Sequence, residues 1–398
     1  MNRTLVVALL FLSLTAQAAG FRLDDMSAKS IALGGAVSAF VDDASAAYFN
    51  PAGLVNRGNG FDARVGIALI APALHFTHSD GDQTSTPFSV APPPHLFASY
   101  TFLDKLAVGL GFYTPFGASV TWPSDWEGRF HARNSSLTTY AINPNVAYMP
   151  HPRVRLGLGF NVLRGTLGIS RGLDFVDSEG AVQLGGAAWG VGFNAGFQAE
   201  VVQNLLYVGG TYRSSIGMTF TGRAHFTDVP AEFSSRINDQ GISGSVLLPD
   251  VGTFGIGVKP IEKLKLALDF TFVRWAAFKE LRIEFENPDL TVPLAKQWFD
   301  TVSVHVGGEY QVTKSVTARL GFVVDPTPSP SVTLTPDLPD ATRIKVGAGV
   351  GWVHDSGFAV DVGYQFVALI PHESLAPGFS GTYSGTAQVL AVTLGYHL

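Results

Sequence analysis

"QVLAVTLGYHL", residues 388–398, decides the fold. Leu390, Val392, Leu394, Tyr396 and Leu398 share one parity, and Ala391, Thr393, Gly395 and His397 share the other. A period of two with one apolar side is the signature of a strand between two different environments. The pattern recurs in "VRLGLGFNV" (154–162), "SVTARLGFVV" (315–324) and "FAVDVGYQF" (358–366). In each, an apolar row (Leu156, Leu158, Phe160; Leu320, Phe322, Val324; Val360, Val362, Tyr364) opposes a row of small or polar residues that includes Arg319 and Asp361.

Lipid on one side and water on the other accounts for such strands. After the first twenty residues no run of 18 apolar residues occurs, so helical spans are excluded, yet 46% of the chain is hydrophobic and only 15% charged. A closed barrel reconciles the two, because every backbone group is paired around the ring. A charge on the lipid face costs roughly 2–4 kcal/mol at midplane, so Arg319 and Asp361 are expected to face the lumen.

The connections set the count. Short turn signals fall near Leu103-Asp104, His151-Pro152, Gln203-Asn204, Pro260–Lys263, Thr313-Lys314 and His354–Gly357. They alternate with longer loops at about 79–93, 117–135, 170–184, 226–242, 286–299, 326–340 and 371–383. Fourteen strands are predicted over residues 60–398: 61–78, 94–103, 105–115, 136–150, 153–168, 185–201, 204–225, 243–260, 263–284, 300–312, 315–325, 341–354, 357–370 and 384–398. An all-β, antiparallel transmembrane barrel follows, and the even count returns the C-terminus to the side where the chain entered.

Residues 1–18 read as a signal peptide: Arg3 as the only charge, an apolar run Leu5–Leu14, and Ala16-Gln17-Ala18 before a cut ahead of Ala19. The run is too short to span a bilayer. The chain has no Cys, which removes disulfides, thiol nucleophiles and Cys-ligated metals. A net charge of −6 without basic runs argues against nucleic acid. Gly168-Ile169-Ser170-Arg171-Gly172 matches G-x-S-x-G, but that motif needs a strand-to-helix turn and nothing helical follows. No metal or cofactor site and no catalytic residue is expected.

Residues 19–59 precede the first strand and hold "DDASAAYFNPAGLV" (42–55), a compact, breaker-rich stretch without alternation. Entering from the periplasmic side, it is expected to fold into the lumen and plug it. "AGFRLDDMSAKSIALGGAVSAFVDDASAAYFNPAGLV" resembles the N-terminal hatch of the FadL/TodX transporters of Gram-negative outer membranes, and "WPSDWEGRFHARNSSLTTYAINPNVAYMP", "VRWAAFKELRIEF" and "DPTPSPSVTLTPDLPDATRIKVGAGVGW" resemble further segments of that family. The terminal Leu398 departs from the usual Phe.

The resemblance implies passive uptake of long-chain fatty acids or aromatic hydrocarbons by a monomer among outer-membrane lipids. The ligand would be captured among external loops, bound beside the hatch and released sideways through a kinked strand. A solute porin and a structural or adhesive barrel are the alternatives. Asp42, Asp43, Asn50, Pro51 and Ala52 match the hatch motif, and Asn50 can bond backbone near a gap in the wall. Phe116, Trp122, Trp126 and Phe130 are the candidate capture groove, with Phe112 and Tyr113 nearer the interface girdle. Arg319, Arg343 and Lys345 are candidate cations for a carboxylate, although Asp269, Glu309 and Asp361 are available to pair with such charges. Arg164 joins them if a bulge, suggested by Leu163, Leu167 and Ile169, turns it inward. Gly347, Gly349 and Gly351 on one parity are expected to make room inside the barrel.

Overall fold

The computed structural model describes residues 20–55, 59–291 and 293–398; the proposed signal peptide lies outside them. Fourteen antiparallel strands close a barrel: β1 Gly60–His78, β2 Pro94–Phe102, β3 Leu106–Tyr113 resuming as Gly117–Thr121, β4 Asn134–His151, β5 Val154–Asp174, β6 Glu179–Val202, β7 Leu206–Arg213 resuming as Ile216–Thr227, β8 Gln240–Leu248 resuming as Val251–Ile261, β9 Leu264–Val273 resuming as Glu280–Phe285, β10 Thr301–Gln311, β11 Val316–Asp325, β12 Arg343–Val353, β13 Phe358–Ser374 and β14 Gly381–His397. β14 closes the ring on β1 in one continuous register from Asp62↔His397 to His78↔Gly381. The first short turn falls where the sequence places it, with Leu103 and Asp104 both at φ 56°, the left-handed pair of a tight hairpin.

The apolar rows point outward. Leu156, Leu158, Phe160, Leu320, Phe322, Val362 and Leu390 are all exposed on the outer wall, whereas Arg319, Asp361 and Thr393 are buried inside. β5 corrects one expectation. Its pairing with β6 runs unbroken from Val154↔Ala199 to Asp174↔Glu179, so no bulge turns Arg164 inward. Instead the surroundings invert. Low on the strand the even positions meet lipid. Higher up the odd positions Leu163, Leu167, Ile169 and Leu173 face an apolar interior, and Thr166 and Ser170 face out. An apolar interior above the membrane reads in sequence like a slip of register. The same inversion hides strand in the expected loop 170–184, where β5 and β6 extend to Asp174 and from Glu179.

Residues 20–55 lie inside the barrel as two short helices, Ala28–Ala32 and Ala46–Phe49, and a 3₁₀ turn Pro51–Val55. Ser27 caps the first helix by accepting from the Ser30 N–H at 3.0 Å. Lys29 bridges to Asp42 at 2.9 Å and Asp43 at 3.5 Å, so the double aspartate staples the segment to itself. The segment then bonds to the wall around most of its circumference. Ala44 N–H donates to Asp62 on β1, Ala28 N–H to Thr393 on β14, and the Val37 and Ser38 N–H groups to Asp269 on β9. Thr101 on β2 and Gln365 on β13 donate to the Leu54 and Ile31 carbonyls. Backbone approaches backbone only where the wall lacks a side chain: a Cβ on Gly321, Gly347 or Gly363 would collide with Gly34, Ile31 or Ala28.

Candidate functional site

Strand β3 is interrupted at Thr114-Pro115-Phe116, and its register against β4 shifts by one residue across the break, from Tyr113↔Ala141 to Gly117↔Thr138. Pro115 has no N–H to offer a neighbour. The inner segment supplies the missing partner: Leu23 N–H donates to the Pro115 carbonyl at 3.0 Å and Gly117 N–H to the Phe21 carbonyl at 2.9 Å. Above the break, Gly117–Thr121 pairs with β4 alone. β2 cannot close the other side, because it starts at Pro94 behind Pro92 and Pro93, three residues without a ladder donor. The wall is therefore open between the top of β2 and the upper half of β3, with Phe21–Leu23 across it from inside. Phe21 is held in an aromatic cage, its ring centroid 4.7 Å from Trp275, 5.6 Å from Phe278, 5.7 Å from Trp298 and 6.1 Å from Phe116.

Beside this seal lies a cavity of ≈ 50 Å³ whose lining includes Arg22, Ser38, Tyr48, Phe116 and Arg213. Arg213 donates to the Tyr113 hydroxyl at 2.9 Å, the Asn161 side-chain oxygen at 2.6 Å and the Tyr48 carbonyl at 3.0 Å. Buried Asn143 and Asn194 extend that network. All three partners of Arg213 are neutral, and among the described residues no carboxylate lies within ion-pair distance of it. It is a cation fixed in place with charge to spare.

Two further cavities stand higher in the barrel. One of ≈ 100 Å³ is walled by Ile169, Leu173, Val182, Phe226 and Phe285, with Arg171, His131 and Asp337 contributing polar groups. The other, of ≈ 20 Å³, shares Leu184 and Ile283 with it and adds Leu167, Phe220 and Val246. Asp337 is ion-paired to Lys296 at 2.7 Å, which leaves Arg171 as the unpaired charge of the upper cavity among the described residues.

These positions differ from several expectations. Trp122 and Trp126 form no open groove; they stack on each other at 4.4 Å, are 2% and 4% exposed, and pack with Phe76, Phe379 and Tyr383 as a cap over β1 and β14. Their indole N–H groups are spent on the Pro336 and Ala132 carbonyls. Phe130 lies under Arg129 at 4.5 Å, and Phe116 sits at the break itself. Arg319 is locked between Glu309 (2.7 Å) and Asp361 (2.6 Å). Arg343 binds Asp340 and the Gly20 carbonyl, and Lys345 binds Asp24 and Asp325. Those two cations hold the inner segment and the loop above it, not an empty site. Arg164 faces outward over the Trp189 ring at 5.3 Å. Gly168–Gly172 lie within β5, a strand and no nucleophile turn. Arg22, Arg171 and Arg213, missed in the sequence, carry no local motif; Arg171 and Arg213 are marked only by having no ion-pair partner among the described residues, while Arg22 stands beside Asp24.

Asn50 is fully buried; its amide donates to the Ser38 carbonyl at 2.8 Å and the Phe197 carbonyl on β6 at 2.9 Å, and its oxygen accepts from Ala52 N–H at 3.2 Å. Pro51 and Ala52 rest against Gly157 on β5. The motif anchors the segment to β5 and β6, while Phe21–Leu23 contacts the break. Asn50→Ala removes donors from the Ser38 and Phe197 carbonyls and the acceptor of the Ala52 N–H; the Ser38 carbonyl keeps the Gln198 amide at 3.1 Å, and a total loss of about 1–3 kcal/mol is expected. Differential scanning calorimetry of the detergent-solubilised protein measures it.

The segment also carries a pH-dependent element. Burial opposes ionisation of Asp24, but Lys345, Arg22 and His305 outweigh it and hold this carboxyl well below the usual range. Burial, then the charge of Asp24 next to it, pushes Asp25 up to about 6 against Lys345, Arg343 and Arg22. A raised carboxyl favours the seated segment below its unfolded value near pH 4, and that contribution is lost as pH rises through about 6. Asp25→Asn is therefore expected to raise the melting temperature at neutral pH and to leave it unchanged near pH 4, as read by paired thermal scans.

Residues 9–398 match the model of one protein family, described as outer membrane protein transport protein (OMPP1/FadL/TodX). The long-chain fatty acid transport protein of Escherichia coli O6:H1 is 25% identical, over 91% of this chain and 90% of that protein. A 47 kDa outer membrane protein of Pasteurella multocida is 22% identical over 98% and 97%. Among solved structures, a Pseudomonas aeruginosa FadL homologue superposes with a TM-score of 0.84 at 20% identity, covering 95% of this chain and 99% of that one. The Pseudomonas putida toluene transporter TodX gives 0.79 at 16% identity over 94% and 98%.

Proposed function

The chain belongs to the FadL/TodX family of outer-membrane proteins that transport hydrophobic compounds, and from that premise we propose that it carries long-chain fatty acids, captured above the barrel, bound beside an N-terminal hatch and released sideways through the break in β3. It is not an enzyme, and its place is the outer membrane. The observation that carries the mechanism is the seal at the break: the hatch closes the open wall with two backbone hydrogen bonds and one caged ring. That is a contact a few residues can make and unmake.

An apolar ligand needs such a route. Leaving an apolar site for water costs about 0.8 kcal/mol per CH₂, so a water-filled pore would strand it at each step. The upper cavities offer an apolar first stop, with Arg171 at one side for an anionic head. The cavity beside the hatch offers a second cation, Arg213, against the seal. Lateral release spares the chain a passage through periplasmic water. The barrel works as a monomer in this scheme, since each encloses its own cavities.

Uptake of labelled oleate and toluene by cells lacking their own transporter tests the reading. Saturable oleate uptake is expected, with Arg213→Gln raising the half-saturating concentration about tenfold, the size of one lost charge-assisted hydrogen bond. Asn50→Ala/Pro51→Ala should lower the maximal rate. Toluene uptake indifferent to Arg213→Gln would assign the protein to aromatic hydrocarbons instead. Uptake of neither by a correctly inserted barrel would favour a porin or structural role.

A further inference from the structure

The barrel wall has a second interruption, between β6 and β7. The lower ladder runs from Val202↔Leu206 up to Asn194↔Arg213, and the upper ladder resumes at Ala187↔Thr221 and continues to Ala181↔Thr227. Just above the lower ladder, Phe193 and Ser214 still bond to each other. Between them, residues 188–192 of β6 and 216–220 of β7 face each other without ladder pairing, although each stretch is fully paired on its other side, to β5 and β8. At β3 the hatch supplies the missing backbone partner. Here, among the described residues, none of the hatch's hydrogen bonds reaches residues 188–192 or 216–220.

Open backbone edges do not persist against lipid unless they are covered or line a cavity. Both faces of this seam are apolar. Outside, Trp189, Val191 and Phe193 are 65%, 61% and 47% exposed. Inside, Ile216, Met218 and Phe220 are buried, and Ile216 overlies Gly190 and Gly192, where a side chain would not fit. Directly above, the smaller upper cavity is lined by Gly185, Gly186 and Gly222, the residues at which the ladder closes again, and it shares walls with the larger one. At the outer rim, Arg164 donates to the carbonyl of Ala188, the first unpaired residue, at 3.1 Å and lies over Trp189, with Tyr140 across the strand from it. A cation between interfacial aromatic rings is the setting of an anionic head group at the membrane surface.

We propose that this seam is a second lateral passage, distinct from the break in β3, through which the acyl chain of an anionic amphiphile held in the upper cavities exchanges with the outer leaflet while Arg164 receives its head group. The proposal rests on the transport reading above. It gives the protein two doors: one ahead of the hatch, open to the outer leaflet without any hatch movement, and one behind the hatch seal.

Photo-crosslinking in outer-membrane vesicles tests it, with a long-chain fatty acid that carries a diazirine near the tail end, followed by peptide mapping. Adducts are expected on residues 188–193 and 214–220 as well as beside the β3 break at 110–121. Gly217→Trp places a ring at the outer mouth, where a side chain at that position meets open space, and it should abolish the first set while sparing the second. Adducts at the break with none at the seam would overturn the second passage and leave the transport reading intact. Adducts at neither place would overturn both.

Discussion

A barrel expressed without residues 20–55 is expected to conduct ions at porin-like levels, orders of magnitude above the intact protein. Small side-chain-filled barrels have about eight strands and open porins 16–18, so fourteen lie close to the size at which water fills the lumen. In the intact protein that space is taken by the hatch, whose Met26, Ala28, Ile31, Ala44 and Ala46 are at most 2% exposed. The wall facing it is built for contact and not for filling, since Gly321, Gly347 and Gly363 present bare backbone. Single-channel recording in planar bilayers, with folding checked by circular dichroism, is the measurement. A folded, truncated barrel that stays silent would show that wall side chains alone close the lumen, and the plug reading would fail. Gly321→Val is the graded version: its added carbons meet the Leu33-Gly34 turn, and intermittent openings of the full-length protein are expected.

Arg319→Ala is expected to cost about 3–5 kcal/mol of stability while leaving the concentration dependence of oleate uptake unchanged. Arg319 holds two carboxylates, Glu309 and Asp361, and the three side chains are 8%, 15% and 11% exposed. Among the described residues, removing the cation leaves Asp361 buried without an ion-pair partner, while Glu309 keeps Lys265 at 3.4 Å. Arg319→Ala/Asp361→Ala should recover much of the loss, because the uncompensated charge leaves with its partner. Chemical denaturation of refolded protein in detergent reads the stability, and the uptake assay reads the ligand. Normal stability with weakened oleate uptake would return Arg319 to the binding site.

The barrel was legible because lipid imposes a rule on every second residue. The row Leu390 to Leu398 has to meet hydrocarbon whatever the rest of the chain does, and fourteen such rows with alternating short and long connections leave little freedom in topology. Where lipid stops imposing the rule, the reading failed in a consistent way. On β5 the apolar residues move to the inner parity above Leu163, because the outside becomes water and the inside an apolar cavity; a change of environment was read as a change of register. Trp122 and Trp126 failed for a related reason. Composition marks them as apolar residues in an external loop, but whether such rings face a ligand or each other depends on Phe76 and Phe379, which are distant in sequence.

The site followed the same division. Fixed by sequence alone is the transmembrane barrel, since periodicity is a local property; Asn50-Pro51 reads in sequence as lying near a gap in the wall, and the tertiary structure seats it on β5 and β6 instead. Also fixed in the sequence is the proline run 92–94, a sign of the gap that went unread. Only the tertiary structure decided which cations are free. Arg319, Arg343 and Lys345 look like ligand partners until the fold brings Asp361, Asp340 and Asp24 against them, and Arg171 and Arg213 become candidates because, among the described residues, no carboxylate comes within ion-pair distance of either. Charge pairing inside a closed barrel is settled by strands tens or hundreds of residues apart, and no local pattern encodes it.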